Sequence, residues 1–207
     1  LVLPVGSHTL RLQAADGAHV ALAGDEYRDE IVVNVTDGAP EQAVRFAMPT
    51  DGATVPPTFD VAMAATGLTV EPAGPIRENA GHFHVLVDTD FIEPGQPIPK
   101  DESHLHFGSG QLTTTLELAP GEHVLRLQMA DGAHVALEGD QYRDEITVTV
   151  AEDAPAAQVY FVTPTDGMTV TSPVDVKMAA AGLLVERSGA VVGEGAGHMH
   201  ILVDSDF

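Results

Sequence analysis

The fold is decided by the stretch Leu125-Arg-Leu-Gln-Met-Ala-Asp-Gly-Ala-His-Val-Ala-Leu137. Its first part alternates apolar and polar residues with a period of two, which is the pattern of a strand that buries one face. The pair Asp131-Gly132 that follows is typical of a tight turn between extended segments. The stretch therefore predicts a half-buried strand that ends in a turn.

The same alternation recurs along the chain, and no helix-length pattern with a period of 3.6 appears. About seven short strands within about 115 residues, separated by turns, predict an all-β fold and within it an immunoglobulin-like β-sandwich. The segments that read as strands are 82–87, 112–118, 123–129, 145–150, 159–162 and 174–179.

The opening stretch has a second copy, Leu10-Arg-Leu-Gln-Ala-Ala-Asp-Gly-Ala-His-Val-Ala-Leu22, which lies 115 residues earlier. The same offset relates Pro49-Thr-Asp-Gly52 to Pro164-Thr-Asp-Gly167. After one extra residue near Gly193 to Gly195, Gly81-His-Phe-His-Val-Leu-Val-Asp88 matches Gly197-His-Met-His-Ile-Leu-Val-Asp204 at an offset of 116. Self-similarity at a fixed spacing predicts tandem repeats of about 115 residues.

The repeat divides the chain into three parts. Residues 1–39 are the C-terminal part of one repeat, 40–154 are a complete repeat, and 155–207 are the N-terminal part of a further repeat, with proline-containing acidic junctions between them. Our working prediction is a longer array. The alternative is that the two incomplete parts pair, within the chain or between neighbours; the absence of a counterpart to 92–115 would leave that domain short of a strand.

The charge balance limits the classes of partner. The chain has 31 acidic and 9 basic residues, a net charge of −22, and no cysteine. Nucleic acids and anionic membranes are bound by clustered basic residues, so neither is an expected partner. The lack of cysteine excludes thiolate metal sites, disulfides and cysteine nucleophiles. No stretch approaches the roughly 20 apolar residues of a membrane-spanning helix, so membrane insertion is not expected.

The ten histidines carry the strongest chemical signal. His82 and His84 form one His-x-His pair in a strand-like segment, and His104 and His106 form another. Alternation places both rings of each pair on one face of a strand. If the two strands are neighbours, four nitrogen ligands meet, a set that suits Zn or Cu.

Six further histidines are candidate ligands for the same kind of site. His123 and His134 could each be a third-strand ligand, a group that supports a ligand, or a strand-end residue. Asp88 could orient an imidazole through its N–H or cap a turn over 88–90. A network of hydrogen bonds, or a pH-sensitive interface, is the alternative for the whole set. The six are His8, His19, His123, His134, His198 and His200.

Three ordered blocks resemble a bacterial family, domain-of-unknown-function family 4399. They are the block from Gly81 to Asp88 quoted above, Pro97-Ile-Pro99 with His104-Leu-His-Phe-Gly-Ser-Gly-Gln111, and Pro120-Gly-Glu-His-Val-Leu-Arg-Leu127. The resemblance covers nearly the whole complete repeat and implies an exported β-sandwich with a histidine-rich face, but no activity. This chain has Phe83 and Met199 where a third consecutive histidine is common in the family.

We therefore expect an extracellular or cell-surface structural protein, with the periplasm as a possible compartment. It would be a fibre or surface array, built from neighbouring copies of itself, with one Cu or Zn site per repeat. The alternatives are a soluble periplasmic or secreted metal carrier and an adhesin without metal. An enzyme is not expected, because the chain has no Gly-x-Ser-x-Gly elbow and no cysteine. The His-x-His strands of Cu/Zn superoxide dismutase are an analogy of fold and spacing alone.

Overall fold

The computed structural model of the chain describes residues 1–154, 157–189 and 196–207. Apart from two short 3-10 turns, Asp25–Tyr27 and Asp140–Tyr142, the regular structure there is all strand, which confirms the all-β prediction. No helix among these residues has the length and hydropathy to cross a membrane. The strands are β1 (Gly6–Ala15), β2 (Arg28–Thr36), β3 (Ala43–Met48), β4 (Thr54–Val55), β5 (Thr58–Thr66), β6 (Thr69–Val70), β7 (Ala80–Val87), β8 (His104–His106), β9 (Thr113–Glu117), β10 (Gly121–Ala130), β11 (Arg143–Val150), β12 (Gln158–Thr163), β13 (Thr169–Thr171), β14 (Lys177–Ala181), β15 (Leu184–Val185) and β16 (Ala196–Val203).

The chain forms two units. The central unit is Pro40–Ala154, and the composite unit combines Leu1–Ala39 with Pro155–Phe207. In the central unit the larger sheet has the order β4-β11-β10-β7-β6, with β8 also paired to β7, and a second sheet has the order β3-β5-β9. These two sheets pack face to face as a β-sandwich.

The core of the central unit lies between its two sheets. Alternate residues of β7 and β10 point inward, including Phe83, Val85, Leu125 and Leu127, each fully buried. They pack against residues of the smaller sheet such as Val61. Because successive side chains of a strand point to opposite faces, His82, His84 and Leu86 lie on the outer face of the larger sheet.

A loop segment covers that outer face. The side-chain amide of Gln128 donates to the Ile92 carbonyl at 2.7 Å and accepts from the Ile92 N–H at 3.0 Å. Ile98 N–H donates to the His134 carbonyl at 2.9 Å, and Ala136 packs with Ile98 and Ala130. The segment that follows β7 thus turns back over the sheet, and the outer face of β7 becomes a second buried layer.

The composite unit repeats this architecture. Its β1 pairs with β16 and β2, β13 joins β2, β15 joins β16, and β12 pairs with β14. The register agrees with the central unit: Leu10 faces Val203 here, as Leu125 faces Val87 there. The two terminal segments therefore pair within this chain, the second of the arrangements considered above, while the longer array stays a prediction. No described strand of this unit corresponds to β8 or β9.

Strand positions follow the sequence pattern with one exception. The strand expected over 174–179 begins only at Lys177. The Val174 N–H donates to the Leu1 carbonyl at 2.7 Å and not to a neighbouring strand. The extra residue expected near Gly193 to Gly195, and the junction residue Pro155, lie outside the described residues.

Candidate metal centre

The strand β7 supplies the two innermost rings of a histidine cluster. His82 and His84 follow the alternation onto the outer face of the larger sheet, and both are 0% exposed under the covering segment. Their Nε2 atoms lie 3.2 Å apart. Two imidazoles are thus buried with their ring nitrogens facing one another.

The neighbouring strand β8 adds His106. Its backbone pairs directly with His84, so that the two rings share a face. The His106 ring centre lies 5.0 Å from those of both His82 and His84. One ligand nitrogen from each of the three rings lies within 4.8 Å of the other two. The expected meeting of two His-x-His strands therefore occurs through one residue of the second pair.

A turn adds His134 as the fourth ring. The Asp131 carboxylate accepts the N–H groups of Ala133 at 2.8 Å and Val135 at 3.0 Å, which closes the turn after β10. His134 is held there at φ 67°, a left-handed conformation in which histidine is more frequent than most residues. Its Nε2 lies 3.0 Å from Nε2 of His106, and its ring centre is 4.8 Å from that of His82.

Two backbone hydrogen bonds connect residues 73–74 to the loops that carry His106 and His134. Ala73 N–H donates to the Gly108 carbonyl, and Gly74 N–H donates to the Gly132 carbonyl, both at 2.9 Å. A side chain at either of those two glycines would have no room, because a Cβ at Gly108 would overlap the His106 ring and one at Gly132 would overlap the backbone of 74–75. The small residues let the loops close around the four rings.

Burial keeps His82, His84 and His106 neutral at neutral pH. Burial, together with the nearby His134 and His106, lowers the pKa of His82 to about 4. Burial and the surrounding histidines lower the pKa of His84 to about 3, and burial also lowers the pKa of His106. A neutral imidazole has a free lone pair, which is the form that binds metal ions.

The buried rings have no other polar partner among the described residues. The Nδ1 atoms of His82 and His84 are buried without a hydrogen bond, and their Nε2 atoms face each other within the cluster. Leaving a buried polar atom unpaired costs about 1–3 kcal/mol. Tetrahedral Zn–N bonds of 2.0–2.1 Å imply ligand nitrogens roughly 3.3 Å apart, close to the separations seen here.

His123 and His8 lie outside the two clusters. His123 Nδ1 is 2.7 Å from an Asp88 carboxylate oxygen and its Nε2 is 2.9 Å from the Ala119 carbonyl. His8 makes the same pair of contacts to Asp204 at 2.8 Å and to the Pro4 carbonyl at 2.9 Å. Both acceptors require an N–H, so each ring donates from both nitrogens. Neither ring then has a lone pair for a metal ion.

His104 also lies apart from the cluster, although it shares β8 with His106. Its Nδ1 is 2.8 Å from the Asp101 carboxylate, which also accepts the His104 backbone N–H at 3.0 Å. The turn before β8 therefore holds the His104 ring against Asp101. Asp88 has a related role: it orients an imidazole, as one alternative foresaw, but the imidazole is that of His123 and not of His82 or His84.

The composite unit brings together the counterparts of three cluster residues. His19 corresponds to His134, and His198 and His200 correspond to His82 and His84. One ligand nitrogen from each of these three rings lies within 4.8 Å of the other two. Of the ten candidate ligands, seven thus fall into two clusters, and His8, His104 and His123 do not.

The sequence alone did not indicate a role in the centre for Gly108 or for the covering segment around Ile92, because neither of these two residues offers a ligand atom. Asp131 was expected in a tight turn, but its part in placing His134 was not. One signal was available, because the turn Asp131-Gly-Ala-His134 is repeated unchanged as Asp16-Gly-Ala-His19. The position of the covering segment had no comparable signal.

Comparison with known proteins gives a family-model match over part of the chain and two weak structural similarities. Residues 61–151 match the model of a family described as a domain of unknown function, DUF4399. No curated protein matches the chain. Among solved structures, an endo-beta-1,4-mannanase from Thermotoga petrophila is similar at 16% identity and a TM-score of 0.34, over 58% of this chain and 22% of that one. The fibronectin(III)-like modules of Clostridium thermocellum CbhA are similar at 17% identity and a TM-score of 0.29, over 72% of this chain and 64% of theirs. The chain thus spans less than two thirds of the length of each of these two structures.

Proposed function

We propose that the domain whose residues 61–151 match the DUF4399 family model binds a transition-metal ion, Cu²⁺ or Zn²⁺, through His82, His84, His106 and His134. The observation that carries the proposal is the convergence of ligand nitrogens from His82, His84 and His106, with His134 Nε2 3.0 Å from that of His106. Nitrogen-only sets of this kind suit copper and zinc better than the hard cations Ca²⁺ and Mg²⁺, which prefer oxygen.

The state of the rings supports metal binding over a network of hydrogen bonds. A hydrogen-bonded network holds buried imidazoles through acceptors and donors around them, as Asp88 and Ala119 do for His123. The Nε2 atoms of His82 and His84 instead face each other at 3.2 Å. Their lowered pKa values also favour the neutral form that a cation requires. The net charge of −22 further favours cations near the protein.

A bound ion would stabilise the pairing of β8 with β7 in the larger sheet. The strand β8 has only three residues and pairs with β7 at His84 and its neighbours. An ion shared by β7, β8 and the turn after β10 would add a cross-link between segments distant in sequence. We therefore propose a structural role for the ion and no catalytic one.

The wider setting that we propose is an extracellular repeat protein, in a surface array or filament, with one such site per repeat. Its support is the recurrence of the sequence at an offset of about 115 residues, histidines included. Electron micrographs of the purified protein test the assembly: filaments or ordered arrays are expected, and dispersed single particles at high concentration would contradict it.

The metal site is tested by two neighbouring histidines of one strand. His106→Ala removes a ring of the cluster, whereas His104→Ala removes a ring held by Asp101. We expect His106→Ala to weaken Zn²⁺ binding to the central unit by roughly a hundredfold or more, since even supporting residues cost 10–100-fold. The His104→Ala control should bind as the unaltered chain does. Zn²⁺ titration calorimetry and metal analysis measure both, and equal binding by the two variants would refute the assignment.

A further inference from the structure

We propose that the composite unit holds a second metal site, formed by His19, His198 and His200, with an open coordination position that takes an exchangeable small anion. This inference rests on the proposed function, because it extends the same ligand chemistry to the other unit. It adds a second metal ion that is more exposed to solvent than the first, and it names small anions as the ligands of that ion.

The three ring nitrogens form a compact triangle. His200 Nε2 lies 2.9 Å from His198 Nε2, His19 Nδ1 lies 3.1 Å from His198 Nε2, and His19 Nδ1 lies 3.3 Å from His200 Nε2. Ligand nitrogens of a tetrahedral ion with bonds of 2.0–2.1 Å are roughly 3.3 Å apart. An ion slightly above this triangle would therefore reach all three atoms.

Hydrogen bonds alone do not satisfy such a triangle. An imidazole nitrogen carries either an N–H or a lone pair, so it is a donor or an acceptor and not both. Among three nitrogens in mutual contact, at least one pair must then be two donors or two acceptors. A cation removes the conflict, because all three nitrogens can direct lone pairs at it.

The turn that carries His19 repeats that of the central unit. The Asp16 carboxylate accepts the N–H groups of Ala18 at 2.8 Å and Val20 at 2.9 Å, and His19 has φ 63°. A residue other than glycine is held in the left-handed region at this position in both units. Such conformations persist where the surrounding structure maintains them, and they concentrate at functional sites.

The open position follows from the exposure of the three rings. His19 is exposed, and His198 and His200 are only half-buried. Three protein ligands with a solvent-facing fourth position are the arrangement of ions that exchange a bound ligand. A divalent ion held by three neutral imidazoles keeps its full charge, which favours an anion there.

The test uses the whole chain, with Cu²⁺ as the metal and azide as the anion. We expect two copper ions per chain, and an azide-to-copper charge-transfer absorption that belongs to the composite site. His19→Gly removes one ring while keeping a residue that tolerates φ 63°. It should lose one copper and the azide absorption. The control His8→Gln, whose ring lies outside the cluster in the same unit, should keep both.

Failure of this inference is distinguishable from failure of the proposed function. One copper per chain that survives His19→Gly but is lost in His134→Gly would overturn only the second site. Azide absorption that persists in His19→Gly would overturn the open position. If His19→Gly misfolds by circular dichroism, His200→Gln replaces it, with the same expected losses. A chain that binds no copper at all would overturn the proposed function as well.

Discussion

At the scale of single residues, the histidines of this chain divide by what their two nitrogens do. In His8 and His123 both nitrogens donate, one to a carboxylate and one to a backbone carbonyl. In the clusters the inner nitrogens face one another instead. The same side chain is thus a structural hydrogen-bond donor at one site and a candidate ligand at the other.

The pair His123–Asp88 predicts a stability that depends on pH. The Asp88 hydrogen bond raises the pKa of His123 above 6.5. Partial burial raises the pKa of Asp88, but the bonds from His123 and the Val124 N–H outweigh it and lower that pKa below 3.8. The histidine contribution is complete below pH 6.5 and is lost as pH rises through its raised pKa. The aspartate contribution is present above pH 3.8 and is lost as pH falls through its lowered pKa.

We therefore expect His123→Gln to lower the free energy of unfolding by about 1 kcal/mol near pH 5.5, and by less at pH 8.5. Denaturant unfolding of both proteins without metal, at the two pH values, measures the difference. The other histidines add the same pH dependence to the free energy of unfolding of both proteins, so their contribution cancels in the difference. A loss of equal size at both pH values would show that the pairing does not depend on ionisation.

Gly108 predicts a change in metal affinity without any change of ligand. Its φ does not require glycine, but a Cβ there would overlap the His106 ring. We expect Gly108→Ala to displace that ring and weaken Zn²⁺ binding to the central unit by about tenfold or more, comparable to a lost supporting contact. The neighbouring change Ser109→Ala is the control. Unchanged affinity in Gly108→Ala would mean that His106 does not hold the ion.

At the scale of elements, the sheet depends on the close approach of β7 to β10. A Cβ at Gly81 would overlap the Ala130 carbonyl oxygen, and one at Gly197 would overlap the carbonyl oxygen of Ala15 between β16 and β1. Both obstacles are backbone atoms, which cannot rotate away. The glycines before His82 and His198 thus set the distance at which each histidine strand meets its neighbour.

We expect Gly81→Ala to lower the free energy of unfolding by about 2 kcal/mol, within the range of overpacked interiors. Gly74→Ala is the control in the same unit, because its Cβ would meet only the Pro72 carbonyl oxygen at 4.0 Å. Urea unfolding midpoints compare the two variants with the unaltered chain. A Gly81→Ala protein as stable as the control would contradict the close approach.

At the scale of the whole molecule, each unit carries a histidine cluster on the same pair of elements. The strand β7 and the turn after β10 in the central unit correspond to β16 and the turn after β1 in the composite unit. Among the described strands, β8 adds a third element to the cluster of the central unit. The two clusters therefore differ in ligand number and exposure, although the sequence around their shared residues is nearly identical.

Metal removal should lower the stability of the protein. An ion that binds only the folded state stabilises it by about 2.7 kcal/mol when its free concentration is 100 times its dissociation constant. We expect a chelator to lower the unfolding temperature and added Zn²⁺ to restore it, as followed by scanning calorimetry. In His134→Gly the part of the shift that belongs to the central unit should disappear. A chelator that leaves the unfolding temperature unchanged would argue against a folded-state ion.

The amino-acid sequence by itself determined the strands, the repeat and the faces of the histidines. A period of two is a local property, so alternation alone places His82 and His84 on one side of β7. The turn Asp131-Gly-Ala-His134 is local as well, since the Asp131 carboxylate bonds N–H groups two and four residues ahead.

Only the tertiary structure decided which histidines meet. The register of β7 with β8 pairs His84 with His106, while Asp101 takes His104. The hydrogen bonding of the His123 ring depends on Asp88, which is 35 residues away in the sequence. Burial of His82 depends on a segment folded back across the sheet. These are long-range pairings whose energies come from packing and hydrogen bonds between distant parts of the chain, and no local period encodes them.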